Sequence, residues 1–247
     1  MFELPMKYRK IFLSVIVICL ISLPPFYYYG QSVWVPIYLK AIGKETVASV
    51  IDKIGTKSDE RLSLYFSNAG IAYPPKKIKL LAMKEEKILE LWAKDNEDFK
   101  LIKHYFIRGA SGTSGPKLTQ GDRQVPEGKY KITGLNPNSS FHLSLKLDYP
   151  NDFDKLHARS DGRTNLGSDI FIHGKSLSIG CLAIGDQSVE QIFTLVHRVG
   201  LKNVDVVIAP HDPRNKPLQA NDVDQPKWIV DLYDQISEEF SKYDKRT

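Results

Sequence analysis

Cys181 follows His173 by eight residues in the stretch DIFIHGKSLSIGCLAIGD, residues 169 to 186, which also holds Gly174, Ser178 and Gly180. A thiol attacks as its thiolate, and with an ordinary pKa of about 8.5 it needs a base or a positive field beside it at neutral pH. His173 is the nearest histidine, and a neutral imidazole can take the thiol proton as attack begins. Gly180 lets backbone approach closely. The amides around Gly180 and Cys181 are candidate donors to a developing oxyanion, each contributing roughly 3 kcal/mol in comparable sites. The chemistry on offer is covalent catalysis by a cysteine nucleophile. Spacing alone also fits a small buried cysteine and a hydrogen-bonded core histidine. His173, Cys181 and His211 lack the paired spacing of a metal site, so no metal is expected.

The elements that must position this pair can be read outward from it. The apolar run Ile170, Phe171, Ile172 and the run Leu182 to Ile184 predict two strands, and if they are neighbours the turn between them folds His173 back beside Cys181. Upstream, residues 77 to 108 read as a three-strand meander, and Gly109 to Gly115 as a flexible loop without the G-K-[ST] ending of a phosphate cradle. Turns at Gly121–Asp122 and Pro126–Gly128 lead to a strand from Tyr130 to Thr133. Phe141, Leu143, Leu145 and Leu147 alternate with polar residues as a strand, and polar residues from Asp152 to Ser168 read as a loop. Downstream, Val189, Ile192, Phe193 and Val196 predict a helix ending at Gly200, Val204 to Ala209 a buried strand, and Pro226 to Lys242 an amphipathic helix. The expected fold class is α+β: a β-centred domain of mixed sheets with flanking helices over residues 75–247. Residues 31–74 read as a helical prelude, in which a helix carrying Val47, Val50, Ile51 and Ile54 ends at Gly55 and a second runs from Ser58 to Gly70.

Residues 1–30 set the compartment. Lys7, Arg9 and Lys10 precede an apolar run from Ile11 to Leu23, the order of an export signal or an uncleaved membrane anchor. The remainder is then expected in the periplasm or cell envelope, anchored in the inner membrane by residues 11–29 if the segment is kept. Cys181 is there the only cysteine besides Cys19, so no internal disulfide forms in the exported part. The formal charge of +5 is mild, acids and bases are interspersed, and no basic run carries interleaved aromatics, which argues against nucleic acid as a partner.

His173, Gly174, Ser178, Gly180 and Cys181, the pattern HG followed by S-x-G-C, resemble the active-site signature of the L,D-transpeptidases with a YkuD-type catalytic domain. Two upstream blocks, Gly115 to Tyr130 and His142 to Asn151, are similar to the YafK-like branch of that family, and the likeness extends over roughly residues 75 to 215. The short gap between His173 and Ser178, with Ile179 where most members carry a second histidine, matches that compact branch. The resemblance implies that Cys181 is the nucleophile, His173 its base, and Gly174 or Ser178 the group that orients the imidazole. It implies no organic cofactor, and peptidoglycan stem peptides as substrate, with the acyl group passing to an amine in a cross-link or an envelope lipoprotein, or to water in an amidase. Tyr149 and Asn151 fall in a family block, and Arg214 offers a guanidinium for a substrate carboxylate. A noncatalytic wall-binding module is the reading that dispenses with the thiol.

Overall fold

The structure, a computed structural model, describes residues 6–96, 98–220 and 225–243. The chain divides into two compact units, one up to Lys44 and one from Glu45. The first contains helices α1 (Met6–Tyr29) and α2 (Gln31–Ile42). Pro24 and Pro25 lie inside α1. Residues 1–5 of the expected signal or anchor segment lie outside the described residues. Among those described, no single helix is long and apolar enough to cross a membrane; Phe12–Tyr27 and Gln31–Ala41 meet the requirement only together, bent by 84° at their junction.

The second unit opens with α3 (Val47–Asn68), whose first turn is closed by a reciprocal capping box between Thr46 and Ser49. This is one helix and not the two expected. Gly55 sits inside it without ending it; a Cβ there would approach an Arg198 guanidinium nitrogen and Ile51 Cγ2 to 3.2 Å. Leu62 and Phe66 are fully buried on its inner face, each contributing about 1.5–3 kcal/mol of burial.

The strands are β1 (Lys77–Met83), β2 (Ile88–Lys94), β3 (Lys100–Phe106), β4 (Gly109–Ala110), β5 (Gly128–Ser139), β6 (His142–Leu147), β7 (Phe171–His173), β8 (Leu182–Ala183) and β9 (Val204–Ala209). They form one mixed sheet in the order β3-β2-β1-β9-β5-β6-β7-β8-β4. Three helices complete the unit: α4 (Asp152–Ser160), α5 (Asp186–Val199) and α6 (Ile229–Ser241). The α+β, β-centred architecture expected from the sequence is therefore present in this unit. Alternation along β1 explains the layering: Leu80 joins a core shared with α3 and α5, and Leu81 one shared with α6. β9 is buried along its whole length, and its one acid, Asp205, is met by Lys77, Lys79 and Lys131.

Two segments differ from expectation in ways that bear on the site. Residues 152–160 are helical because Asn151 and Asp154 cap the first turn reciprocally, at 3.1 and 2.9 Å. Gly109 and Ala110, expected within a flexible loop, are a sheet strand paired with β8, Gly109 opposite Ala183 and Ala110 opposite Leu182.

Candidate active site

Register brings His173 and Cys181 to one face of the sheet. β7 and β8 run parallel, Ile172 beside Leu182 and His173 beside Ala183. Ile172 and Leu182 are fully buried in the α5 core, so side chains one residue away from them turn to the other face. That face carries His173 and, immediately before β8, Cys181.

The turn between them is held by close contacts. Gly174 is required sterically: a Cβ there would lie 2.7 Å from both Asp186 Oδ1 and the Phe141 carbonyl oxygen. The Lys175 amide donates to Asp186 Oδ1 at 2.8 Å and its ammonium to Oδ2 at 2.5 Å, tying the turn to the first residue of α5. Gly180 has φ +89°, a left-handed conformation that favours glycine.

His173 is 3% exposed and packs 4.8 Å from the Phe141 ring. Its Nδ1 lies 2.6 Å from the Gly174 carbonyl oxygen. A carbonyl only accepts, so Nδ1 carries the proton and Nε2 keeps its lone pair. Burial pushes the imidazole below its ordinary pKa, against the smaller pull of the Gly174 carbonyl, which keeps the ring neutral and basic at Nε2.

Cys181 is half-buried, with its thiol 3.8 Å from the Asp169 carbonyl oxygen. Burial pushes the thiol up; the Phe171 amide and the Lys117 ammonium oppose this, and Asp169 adds to it. The resting pair is thus a neutral thiol and a neutral imidazole, suited to proton transfer during attack and not to a preformed thiolate.

Of the expected orienting groups, the Gly174 carbonyl holds the imidazole. Ser178 does something else: its Oγ donates to the Cys181 carbonyl at 2.5 Å and accepts the Cys181 amide at 3.3 Å. The Gly180 amide donates to Ser111 Oγ at 2.6 Å. The amides of Gly180 and Cys181, expected to face an oxyanion, are therefore both engaged by serine hydroxyls, Ser178 from the turn itself and Ser111 from the segment after β4.

The outlying candidates have structural tasks. Tyr149 is buried and its hydroxyl donates to the Leu166 carbonyl at 3.1 Å. Asn151 caps α4 and its Nδ2 donates to the Lys129 carbonyl at 2.9 Å. Arg214 is corrected most clearly. Its guanidinium is taken up by Glu90 at 2.9 Å and Asp212 at 2.8 Å, and lies over the Phe240 ring of α6, so it holds no free fork for a substrate carboxylate.

Sequence reasoning missed Ser111, Lys117, Gln124 and Asp186 as supports of the site. Lys117 is buried, bonded to Asp122 at 2.5 Å, and its positive charge opposes the upward shift of the thiol. The Gln124 carbonyl stands 3.5 Å from where a Gly180 Cβ would be. Both belong to the family-like block starting at Gly115, a signal that was available; Ser111, in a run of glycines and serines, carried none. Cavities of about 350 and 310 Å³ share Thr113 and Ser114 in their walls; the first is lined also by Ser111 and the second by Gln124. Among the described residues no group of three or more His, Cys, Asp or Glu is arranged to hold a metal ion.

A mixed sheet that presents a cysteine and a neutral, carbonyl-anchored histidine on one face defines a candidate cysteine acyl-transfer site. The chain belongs to the L,D-transpeptidase catalytic domain family, YkuD, which matches residues 80–208. Two Escherichia coli proteins, from strains K12 and O157:H7, each named "Putative L,D-transpeptidase YafK", are 36% identical to it over 115 residues. That match takes in 46% of this chain and 44% of each relative, so the chain spans less than half the length of the curated relatives it matches. Among solved structures, the helical cell shape determining protein Pgp2 of Campylobacter jejuni is 18% identical with a TM-score of 0.46, over 75% of this chain and 78% of that one. Bd1075 of Bdellovibrio bacteriovorus is 20% identical with a TM-score of 0.42, over 69% and 56%.

Proposed function

We propose that this protein is an exported cell-wall enzyme that acts on peptidoglycan stem peptides through an acyl-thioester on Cys181, as an L,D-transpeptidase. The observation that carries the reading is the His173 Nδ1–Gly174 carbonyl bond, which leaves Nε2 as the free base on the face that bears the thiol. Family membership supplies the substrate class. In the reaction, Nε2 takes the thiol proton as Sγ attacks the carbonyl of the L,D-linked residue. Collapse of the tetrahedral intermediate expels the leaving amine, which receives that proton from the imidazolium. A second amine, from a neighbouring stem or an envelope lipoprotein, then attacks the thioester; entry of water instead makes the same site a hydrolase.

Export is supported by the order of the first residues, Lys7, Arg9 and Lys10 before the apolar run from Ile11. Placement in the periplasm, with the N-terminal segment at the membrane, follows from the wall substrate. An alkaline phosphatase fusion after Lys44 is expected to be active, and an inactive fusion that is stably expressed sinks this placement.

The chemistry is tested by incubating the protein, wild type and Cys181→Ala, with tetrapeptide-stem muropeptides and reading products by mass. Dimers are expected with wild type only. Released stems or lipoprotein would assign hydrolysis, and equal products from Cys181→Ala would remove the cysteine from the mechanism.

A further inference from the structure

The hydrogen atoms around the nucleophile can be assigned one by one. Ser178 has one hydroxyl proton, given to the Cys181 carbonyl at 2.5 Å, an atom that only accepts. Its oxygen accepts the Cys181 amide at 3.3 Å and the Ser111 amide at 3.2 Å, which occupies its acceptor capacity. Ser111 Oγ accepts the Gly180 amide at 2.6 Å, and its own proton has the longer contact to Ser178 Oγ, at 3.3 Å, an oxygen that already accepts two amides. The most weakly held proton in this network is therefore the hydroxyl proton of Ser111.

Its position matters as much. Carrying the β4–β8 register one step past Ala110 and Leu182 sets Ser111 opposite Cys181, on the face of the thiol. Ser111 is half-buried, so its hydroxyl is not closed off from solvent. A hydroxyl that accepts an amide proton is polarised into a stronger donor.

Building on the acyl-enzyme reading above, we infer that the Ser111 hydroxyl is a catalytic oxyanion donor, extending the engaged Gly180 amide toward the substrate. As Sγ forms its bond to the carbonyl carbon, the C=O π pair moves onto oxygen and that oxygen accepts the Ser111 O–H. The thiol proton resides on His173 Nε2. Collapse re-forms C=O, breaks the bond to the leaving group, delivers the imidazole proton to it and weakens the hydrogen bond from Ser111, whose proton stays on Oγ throughout. The Gly180 amide is bonded to Ser111 Oγ at 2.6 Å, so while the hydroxyl is present it acts on the oxyanion through Ser111.

The test compares wild type, Ser111→Ala and Ser111→Thr in acylation by p-nitrophenyl acetate and in alkylation by iodoacetamide. Both are read at Cys181 by peptide mass, because Cys19 is a second, exposed thiol, and only acylation passes through an oxyanion. Ser111→Ala is expected to slow acylation by roughly 100-fold, the usual loss for one such donor, with alkylation unchanged and the thermal midpoint lowered by only about 2–4 °C for the lost Gly180 amide bond. Ser111→Thr, which keeps the hydroxyl, is expected to recover most of the rate. Unchanged acylation in Ser111→Ala, or equal losses of acylation and alkylation, would overturn the inference alone. A wild-type thiol that the ester does not acylate would overturn it together with the acyl-enzyme reading.

Discussion

Ser178 grips Cys181 by both of its backbone groups, donating to the carbonyl at 2.5 Å and accepting from the amide at 3.3 Å. A single hydroxyl thereby fixes the peptide planes on either side of the nucleophile. Removing it in Ser178→Ala leaves three groups to seek water, the Cys181 carbonyl and amide and the Ser111 amide, each bond having a net worth of about 1 kcal/mol. If that energy is spent on holding Sγ in its attacking position, the acylation rate falls about tenfold or more. Burst kinetics on the folded variant measure this, and a full rate with only a lowered thermal midpoint would assign Ser178 to stability.

The two shifted groups at the site predict opposite limbs of a pH profile. General-base attack needs neutral His173, and burial holds its pKa below the ordinary value of about 6.5, so the acid limb of kcat/KM has its midpoint below that value. Stability has the matching sign. As pH falls through about 6.5 the unfolded chain takes a proton that the folded site resists, so this contribution is present above that pH and is lost below it. Cys181 works at the other end: the unfolded thiol ionises from about 8.5, the folded one later, and stability declines above that pH. Iodoacetamide alkylation, followed against pH, is expected to titrate above the range of an ordinary thiol; a midpoint near or below 7 would mean a preformed thiolate, at odds with the neutral pair.

How much of this was legible in the chain depends on where each signal resides. β6 and β9 are legible because alternating or continuous apolar residues belong to the strand itself. The Cys181–His173 pair is legible because both lie in one short turn. α4 is hidden in polar residues, since its start depends on the capping exchange between Asn151 and Asp154 more than on an apolar stripe. Ser111 is hidden for a different reason: its role comes from the pairing of β4 with β8, a contact across about seventy residues of chain that no local pattern records. Arg214 was misread because a guanidinium suits a buried ion pair as well as a ligand, and only Glu90 and Asp212 decide between them.

Gly174→Ala is expected to be the most damaging single-methyl change at the site. The added carbon would sit 2.7 Å from Asp186 Oδ1 and from the Phe141 carbonyl oxygen, and 3.1 Å from His142 Cβ, with backbone on one side and an ion-paired carboxylate on the other. Relief requires moving the turn that carries the Gly174 carbonyl, and with it the anchor of the imidazole. Overpacking of this kind costs about 1–3 kcal/mol, so a lowered thermal midpoint should accompany loss of acylation in the protein that remains folded. Full acylation in Gly174→Ala would detach the imidazole's orientation from this carbonyl.

Arg214→Leu separates a structural ion pair from a substrate contact. Glu90 and Asp212 are buried, and the guanidinium is ion-paired with both. Its loss leaves their charge in an apolar layer formed with Phe240 and Met83, at a cost of about 3–5 kcal/mol for a broken buried pair. A large fall in thermal midpoint is therefore expected, together with near-normal acylation by p-nitrophenyl acetate and near-normal KM for stem peptide measured well below the transition. A substrate-binding arginine gives the reverse pattern, a raised KM in a protein of undiminished stability. The leucine stem fills much of the same volume, so what the experiment removes is chiefly the charge, and the two patterns cannot be confused.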